Sequence, residues 1–298
     1  MTLVVQKYGG SSLANAELVK AVARQISKRA EEGTQIVVVV SAMGNRTEEL
    51  ISLAMDISKS PEERELDLLL STGEIVSSTI LSMALRSIGQ SAIALSGAQA
   101  GIGTDRRYGS ARILRIDPHR IVEELNENKI VIVAGFQGIT EDLDVTTLGR
   151  GGSDTSAVAL SAALKASTCE IFTDVDGVFT ADPSIEPNAQ QLSEISYEEM
   201  LELASYGAKV LHPRAVEMGS VYGIPILVAS SLHEKPGTLV QGGDLMVEQR
   251  NKVIGIANDT DVGRITLRGV PDQPGIAGKL FDPLAKSGIS VDTIVQNT

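Results

Sequence analysis

Short, unbroken apolar runs recur along this chain, with polar and periodic stretches between them. The runs are Leu3–Val5, Ile36–Val40, Ser91–Leu95, Lys129–Ala134, Cys169–Thr173 and Ile226–Ala229. They are rich in β-branched residues and do not alternate with polar ones. A parallel strand covered on both faces requires that pattern. Helical spacing of apolar positions occupies about 14–32, 47–58, 62–87, 118–127, 153–165, 196–205 and 213–222. The alternation predicts an α/β fold, with helices in layers on both faces of a mainly parallel sheet. Ligands of such sheets gather beyond the carboxyl ends of the strands. Lys7, Ser41, Arg150 and Asp174 all lie at or just beyond predicted strand ends, so the topology can bring them to one rim.

After Val240 the pattern breaks at Gln241-Gly242-Gly243-Asp244. Beyond it, Val253–Ala257 and Arg264–Arg268 are expected as strands, 274–287 as a helix opened by Pro271-Asp272-Gln273-Pro274-Gly275, and Ser290–Val295 as a strand. The expected division is therefore a large α/β domain over 1–242, followed by a linker and a smaller α+β segment over 243–298.

Charge and composition narrow the function. The 298 residues include 38 acidic and 26 basic ones, for a formal net charge of −12. That balance argues against a nucleic-acid partner, which wants a basic surface. The single cysteine, Cys169, sits in an apolar strand run and rules out a disulfide framework within the chain. No apolar run approaches membrane length. The N-terminus enters a strand at once, interrupted by Lys7, so no secretory signal is visible. A reducing cytoplasm is the expected setting. His119, His212 and His233 lack metal-ligand spacing, and no protein metal site is expected. His119 and His212 border prolines at helix starts and read as structural. The run Asp174-Val175-Asp176-Gly177 lacks the terminal Glu of a calcium loop.

Two glycine turns carry the chemistry. Lys7-Tyr8-Gly9-Gly10-Ser11-Ser12 follows a strand and precedes a helix. Such a turn aims backbone N–H groups and a helix dipole at an anion, and Lys7 adds a full charge. It is not a Walker loop, whose closing Gly-Lys-Ser/Thr is absent. The second turn is Leu148-Gly149-Arg150-Gly151-Gly152-Ser153-Asp154, ahead of an Ala-rich helix that Ser153 or Asp154 is placed to cap. A capped helix start does not explain Arg150 among three glycines. Its planar fork matches a carboxylate or phosphate, and the glycines allow close approach to the backbone.

With both turns in view, the sequence resembles the aspartate kinases of the amino-acid kinase superfamily. The resemblance spans essentially the whole chain through KYGGSS (7–12), VVVVSAMGNRTEEL (37–50), STGE (71–74), VAGFQG (133–138), TTLGRGGSDTSA (146–157), FTDVDGVFTADP (172–183) and EMLELASYGAKVLHPRAVE (199–217). It implies a three-layer αβα, carbamate-kinase-like fold. It also implies transfer of the γ-phosphoryl group of ATP to the β-carboxylate of L-aspartate, giving 4-phospho-L-aspartate on the way to lysine, threonine and methionine. The segment around Pro271–Gly275 resembles the start of an ACT regulatory domain. It stops before the further strands and helix such a unit needs, which implies a shortened chain. In a full-length form the resemblance implies a lysine or threonine effector, and a homo-oligomer or a partner regulatory subunit.

Residue by residue, the resemblance places Lys7 on the transferring phosphoryl group, Lys209 on the nucleotide side, and Asp154 as the acid that organises the two lysines. An ionised acceptor carboxylate carries no proton, so Asp154 is not assigned as a general base. Arg150 is the carboxylate clamp and Glu74 the partner of the substrate ammonium. Ser41, Thr47 and Ser153 match acceptor-contacting positions, and the N–H groups of Gly9, Gly10, Gly151 and Gly152 complete the cradle. Thr173, Asp174, Phe179 and Asp182 fall on the nucleotide. Phe179 stands where many relatives carry Tyr, which keeps the packing and loses a hydroxyl. Mg²⁺ is expected to arrive with ATP, held by phosphates and water. Two alternatives remain at this level: an amino-acid kinase with a different, glutamate-like acceptor, and a non-catalytic amino-acid-sensing protein. The second predicts loss of the phosphate-site lysines, yet Lys7 and Lys209 are present.

Overall fold

The computed structural model describes residues 2–208, 210–233, 235–242, 253–259, 262–271, 273–287, 289, 291, 294 and 295. They divide into two units, Met1–Asp259 and Thr260–Thr298.

In the larger unit, β1 (Leu3–Tyr8), β2 (Gln35–Val40), β3 (Ala92–Leu95), β6 (Ile130–Ala134), β9 (Thr168–Thr173), β10 (Glu194–Ser196), β11 (Ile226–Ser230) and β12 (Thr238–Gln241) form one sheet. Its order is β10-β12-β11-β9-β1-β2-β6-β3. Every pairing is parallel except β11 with β12. The register explains the rim. Tyr8 lies opposite Val40 and Phe172, Val40 opposite Ala134, and Thr173 opposite Ser230. Four adjacent parallel strands and β11 therefore finish on nearly one line, and the segments after them emerge side by side.

Helices α1 (Ala16–Glu31) and α3 (Glu63–Ser87) cover one face; α4 (His119–Asn126), α5 (Gly152–Leu164), α6 (Tyr197–Ser205) and α7 (Pro213–Tyr222) cover the other. Strand β2 shows why the apolar runs do not alternate. Ile36, Val38 and Val40 pack under α1 and α3, while Val37 and Val39 join the core of the opposite face. All five are buried, each contributing about 1.5–3 kcal/mol. The α/β expectation thus holds, and the predicted helix and strand spans agree to within two residues, except that β1 runs on to Tyr8 and that β10 and β12 were not anticipated.

Local chemistry sets the helix ends. Asn15 caps α1 by accepting from the Glu17 and Leu18 amides, and Ser196 with Glu199 closes a capping box on α6. His212 caps α7 ahead of Pro213, and His119 opens α4 after Pro118, in line with structural roles for both. The short helix α2 (Arg46–Ile57) lies beyond β2. One expectation fails: neither Ser153 nor Asp154 caps α5. Gly151 occupies that position with φ +66°, and both side chains lie inside the helix. Asp154 is turned instead to Lys7.

A second sheet, β5-β4-β7-β8, is built from β4 (Ile102–Thr104), β5 (Ile113–Ile116), β7 (Gln137–Ile139) and β8 (Val145–Thr147). Arg150 follows β8 and so belongs to this smaller sheet, not to a strand end of the large one.

Helix α3 corrects the statement about membrane length. By length and composition it could cross a membrane, but half of its apolar window is buried in the fold. It is a core helix. Cys169 is fully buried, and burial pushes its thiol up to about 12.

The segment 253–298 departs from expectation. Val253–Ala257 and Arg264–Arg268 have no regular structure, and residues 291, 294 and 295 lie in no strand. Apolar β-branched residues form a strand only where a neighbouring edge accepts their ladder. Here Ile256 donates once, to the Thr180 carbonyl (2.8 Å), and Val262, Ile265 and Leu267 stay exposed. The expected helix is present as α8 (Ile276–Lys286), entered through Gly275 at φ +87°.

Candidate active site

The first glycine turn lies at the end of β1. Along this strand Gln6 and Tyr8 face the α1 side, and Val5 and Lys7 face the α5 side. Lys7 Nζ meets Asp154 Oδ1 at 2.7 Å, with both side chains about one-eighth exposed (12% and 13%). The cation thus sits at the rim, held by the first turn of α5. Gly10 is required here by close approach. A Cβ on it would lie 2.6 Å from the Ala42 carbonyl oxygen, and its own carbonyl accepts from the Gly44 amide (3.0 Å). The KYGGSS and SAMG segments are therefore one packed unit. Behind it Tyr8 stacks on Phe172 with ring centroids 4.9 Å apart.

The cradle of amides is smaller than the sequence suggests. The Gly9 N–H donates to the Phe172 carbonyl and the Gly152 N–H to the Gly149 carbonyl. Gly10 and Gly151 have no such partner among the described residues.

On α3, Glu74 is almost fully buried (3% exposed). Its Oε1 accepts from the Ala42 N–H at 3.0 Å, while Oε2 has no partner among the described residues. Burial pushes its carboxyl up to about 7, against the opposing pull of backbone N–H groups. Ser41, half-buried just past β2, donates its N–H to the Tyr8 carbonyl (3.1 Å), and Thr47 lies half-buried in the first turn of α2.

The second turn packs against the ends of β6 and α7. Gly135 follows β6, and a Cβ on it would come within 2.9 Å of the Ser153 hydroxyl. Gly151 backs onto His212, whose ring carbon would lie 2.1 Å from an added Cβ. Arg150 is exposed and makes no ion pair among the described residues. His212 is half-buried, and burial lowers its pKa from the ordinary value although Asp154 pulls it up.

Thr173 ends β9 and its hydroxyl donates to Asp174 Oδ1 (3.0 Å); Asp174 is exposed on the rim. Phe179 is half-buried and bridges to Gln191. Asp182 is taken up by its own turn, accepting from the Ser184 N–H and hydroxyl, which weakens its expected place on the nucleotide. Asp176 accepts from Lys235 and pairs with the His233 ring, so its carboxylate is already taken by protein groups. Lys209 lies outside the described residues.

The family model for the amino acid kinase family matches residues 2–230. An aspartokinase of Mycolicibacterium smegmatis is 49% identical over 299 aligned residues, covering 100% of this chain and 71% of that protein. The chain belongs to the aspartokinases of the amino acid kinase family. The aspartate kinase structure from Synechocystis superposes with a TM-score of 0.74 at 46% identity, over 98% of this chain and 49% of that one. Aspartokinase III of E. coli, solved in complex with aspartate and ADP, gives 0.80 at 27% identity, over 99% and 76%. The enzyme is an ATP-dependent kinase whose acceptor is aspartate, so the glutamate-like and non-catalytic alternatives fall away.

One site residue escaped the sequence reading. Phe136, in the VAGFQG stretch, has φ +66°, a conformation bulky residues rarely adopt. Its amide is held by Ser156 Oγ (3.2 Å), its carbonyl accepts from the Leu148 amide (2.8 Å), and its ring lies against Gly152. Nothing in its local sequence signals this; only the meeting of β6, β8 and α5 does.

Proposed function

We propose that ATP lies along the rim from the Gly9-Gly10 turn to Thr173, Asp174 and Phe179, and that L-aspartate lies between Glu74 and Arg150. The buried Glu74 carboxylate carries this reading. One oxygen is fixed by Ala42, and the other needs a cation to justify its burial. The α-ammonium of a free amino acid is such a cation. Arg150, uncommitted at the opposite turn, takes a substrate carboxylate, with Ser41, Thr47 and Ser153 alongside.

In this reading a β-carboxylate oxygen of aspartate attacks the γ-phosphorus. The new O–P bond forms as the bridging P–O bond to ADP breaks, and no proton moves. Two anions must approach, so the protein supplies positive charge and alignment. Lys7 offsets the charge of the transferring group, and Asp154 parks the ammonium where it is needed. Lys209 completes the nucleotide side. The described residues contain no cluster of three His, Cys, Asp or Glu side chains suited to a metal ion. Mg²⁺ enters with the ATP phosphates and spreads their charge.

Residues 1–242 form the catalytic domain in this proposal, and 243–298 a linker with an ACT-like segment. The enzyme works in the cytoplasm as a homo-oligomer or with a regulatory subunit. An acceptor panel tests the core of the reading. L-Aspartate is phosphorylated, and N-acetyl-aspartate, lacking the ammonium, loses at least about a hundredfold in kcat/KM. Equal use of the two removes Glu74 from its role.

A further inference from the structure

Asp67 is a buried carboxylate outside the proposed site (1% exposed). It lies on α3 and accepts only from neutral donors. The Gly109 N–H approaches Oδ1 at 3.0 Å and Oδ2 at 2.9 Å, the Thr147 N–H approaches Oδ2 at 2.8 Å, and the Thr147 hydroxyl donates to Oδ1 at 2.6 Å. No cation pairs with it among the described residues; Arg64, one turn earlier, is engaged by Asp144 and Glu65. A buried charge held by dipoles alone is costly to desolvate and weak as a device for stability. It is, however, a stiff and directional joint, because three donors converge on two oxygens.

The joint connects the two halves of the acceptor site. Asp67 and Glu74 are seven residues apart, two helical turns, and so share a face of α3. Thr147 ends β8, three residues before Arg150. The same helix is pinned once more where Gln137 Nε2 donates to the Ser71 carbonyl (2.8 Å). Arg214 braces the far side of β8, donating to the carbonyls of Leu148 (2.9 Å) and Ala111 (3.0 Å). Neither brace reaches the Thr173–Asp182 segment.

We infer that Asp67 is a positioning residue for acceptor recognition, setting the distance between Glu74 on α3 and the Arg150 turn after β8. The inference rests on the placement of aspartate between those two residues. An asparagine there keeps the shape but turns an NH₂ toward converging donors, so the joint loosens while the core stays filled.

The test compares steady-state kinetics of Asp67→Asn, Thr147→Val and Arg150→Ala, with melting curves as the folding control. Asp67→Asn is expected to raise KM for aspartate about tenfold or more while KM for ATP stays within about twofold. Thr147→Val removes one bond at nearly constant volume and gives the same split at smaller size. It also serves as the readout if Asp67→Asn does not fold. In an Arg150→Ala background, Asp67→Asn adds little further, since the group it positions is gone. Equal rises in both KM values, or a lowered melting temperature with unchanged kinetics, would mean that Asp67 only stabilises the fold. If Arg150→Ala raises KM for aspartate and Asp67→Asn does not, this inference fails alone. If Arg150→Ala leaves that KM unchanged, the acceptor placement fails and takes the inference with it.

Discussion

Lys7 and Asp154 meet at 2.7 Å across the gap between β1 and α5, among the described residues the only link between the first glycine turn and the second that is made by opposite charges. In the proposed placement the pair fixes an ammonium where phosphate charge must be offset, and each partner has its own expected phenotype. Lys7→Ala lowers kcat on the order of 10²-fold with an unchanged circular dichroism spectrum. Asp154→Asn also lowers kcat, because Lys7 loses its anchor, while KM for aspartate changes less than in Arg150→Ala. A folded Lys7→Ala enzyme within about threefold of wild type excludes the lysine from the transfer step.

Arg150→Ala and Glu74→Gln raise KM for aspartate far more than KM for ATP if, as proposed, both face the acceptor. A dominant effect on ATP would mean that the two substrates have been placed the wrong way round.

Glu74 also predicts a pH profile. Burial raises its carboxyl from 4.5 to about 7. Below pH 7 it becomes neutral and ceases to attract an ammonium. KM for aspartate therefore rises as pH falls from 8 to 6, and this dependence vanishes in Glu74→Gln. The stability effect has a definite sign. A raised folded-state value gives a contribution that is fully present below about 4.5 and is lost as pH rises through about 7. The loss is worth on the order of 3 kcal/mol at most, from about 1.4 kcal/mol per pH unit. Glu74→Gln should thus gain melting temperature relative to wild type at pH 8 and not at pH 4.5. A gain that is independent of pH would show that this carboxyl does not titrate in the expected range.

Gly151 and Gly33 both adopt positive φ, +66° and +88°, but differ in surroundings. An alanine at Gly151 would collide with the His212 ring, whereas Gly33 has nothing within 4 Å. Gly33→Ala should cost about 1 kcal/mol with normal kcat. Gly151→Ala should cost more and lower kcat at least tenfold. Denaturant titration alongside initial rates separates the two, and similar behaviour would undo the argument from close packing.

On the nucleotide side, Asp174→Ala raises KM for ATP and leaves KM for aspartate within about twofold, since Asp174 stands at the end of β9, away from Glu74. Isothermal titration with a non-hydrolysable ATP analogue checks this without turnover; undiminished affinity would remove Asp174 from the nucleotide contacts.

The large sheet was legible because buried parallel strands write themselves as β-branched runs, as Ile36–Val40 does. The small sheet was not, because Ile102–Thr104, Gln137–Ile139 and Val145–Thr147 are too short and too polar to stand out. Lys7, Glu74 and Arg150 were found through motifs in which charge sits among glycines or serines. The local pattern offers Asp154 only as a possible helix cap, since it cannot show that Lys7 outcompetes the backbone for it; its place beside the lysines comes from the resemblance. Phe136 and Asp67 carried no such sign: the importance of each depends on partners more than ten residues away. The segments 253–257 and 264–268 have the composition of strands, but strand formation is settled by whether a neighbour offers an edge.

Helix α3 has a consequence for how the nascent chain meets the cell. As it leaves the ribosome, Glu63–Ser87 offers insertion machinery a stretch apolar and long enough to be tried in a bilayer. Glu74 lies midway along that helix, where a carboxylate at a bilayer centre costs about 2.5–3.5 kcal/mol on a translocon scale. The acid proposed to face the acceptor in the folded enzyme thus also raises the cost of inserting the unfolded segment into a bilayer.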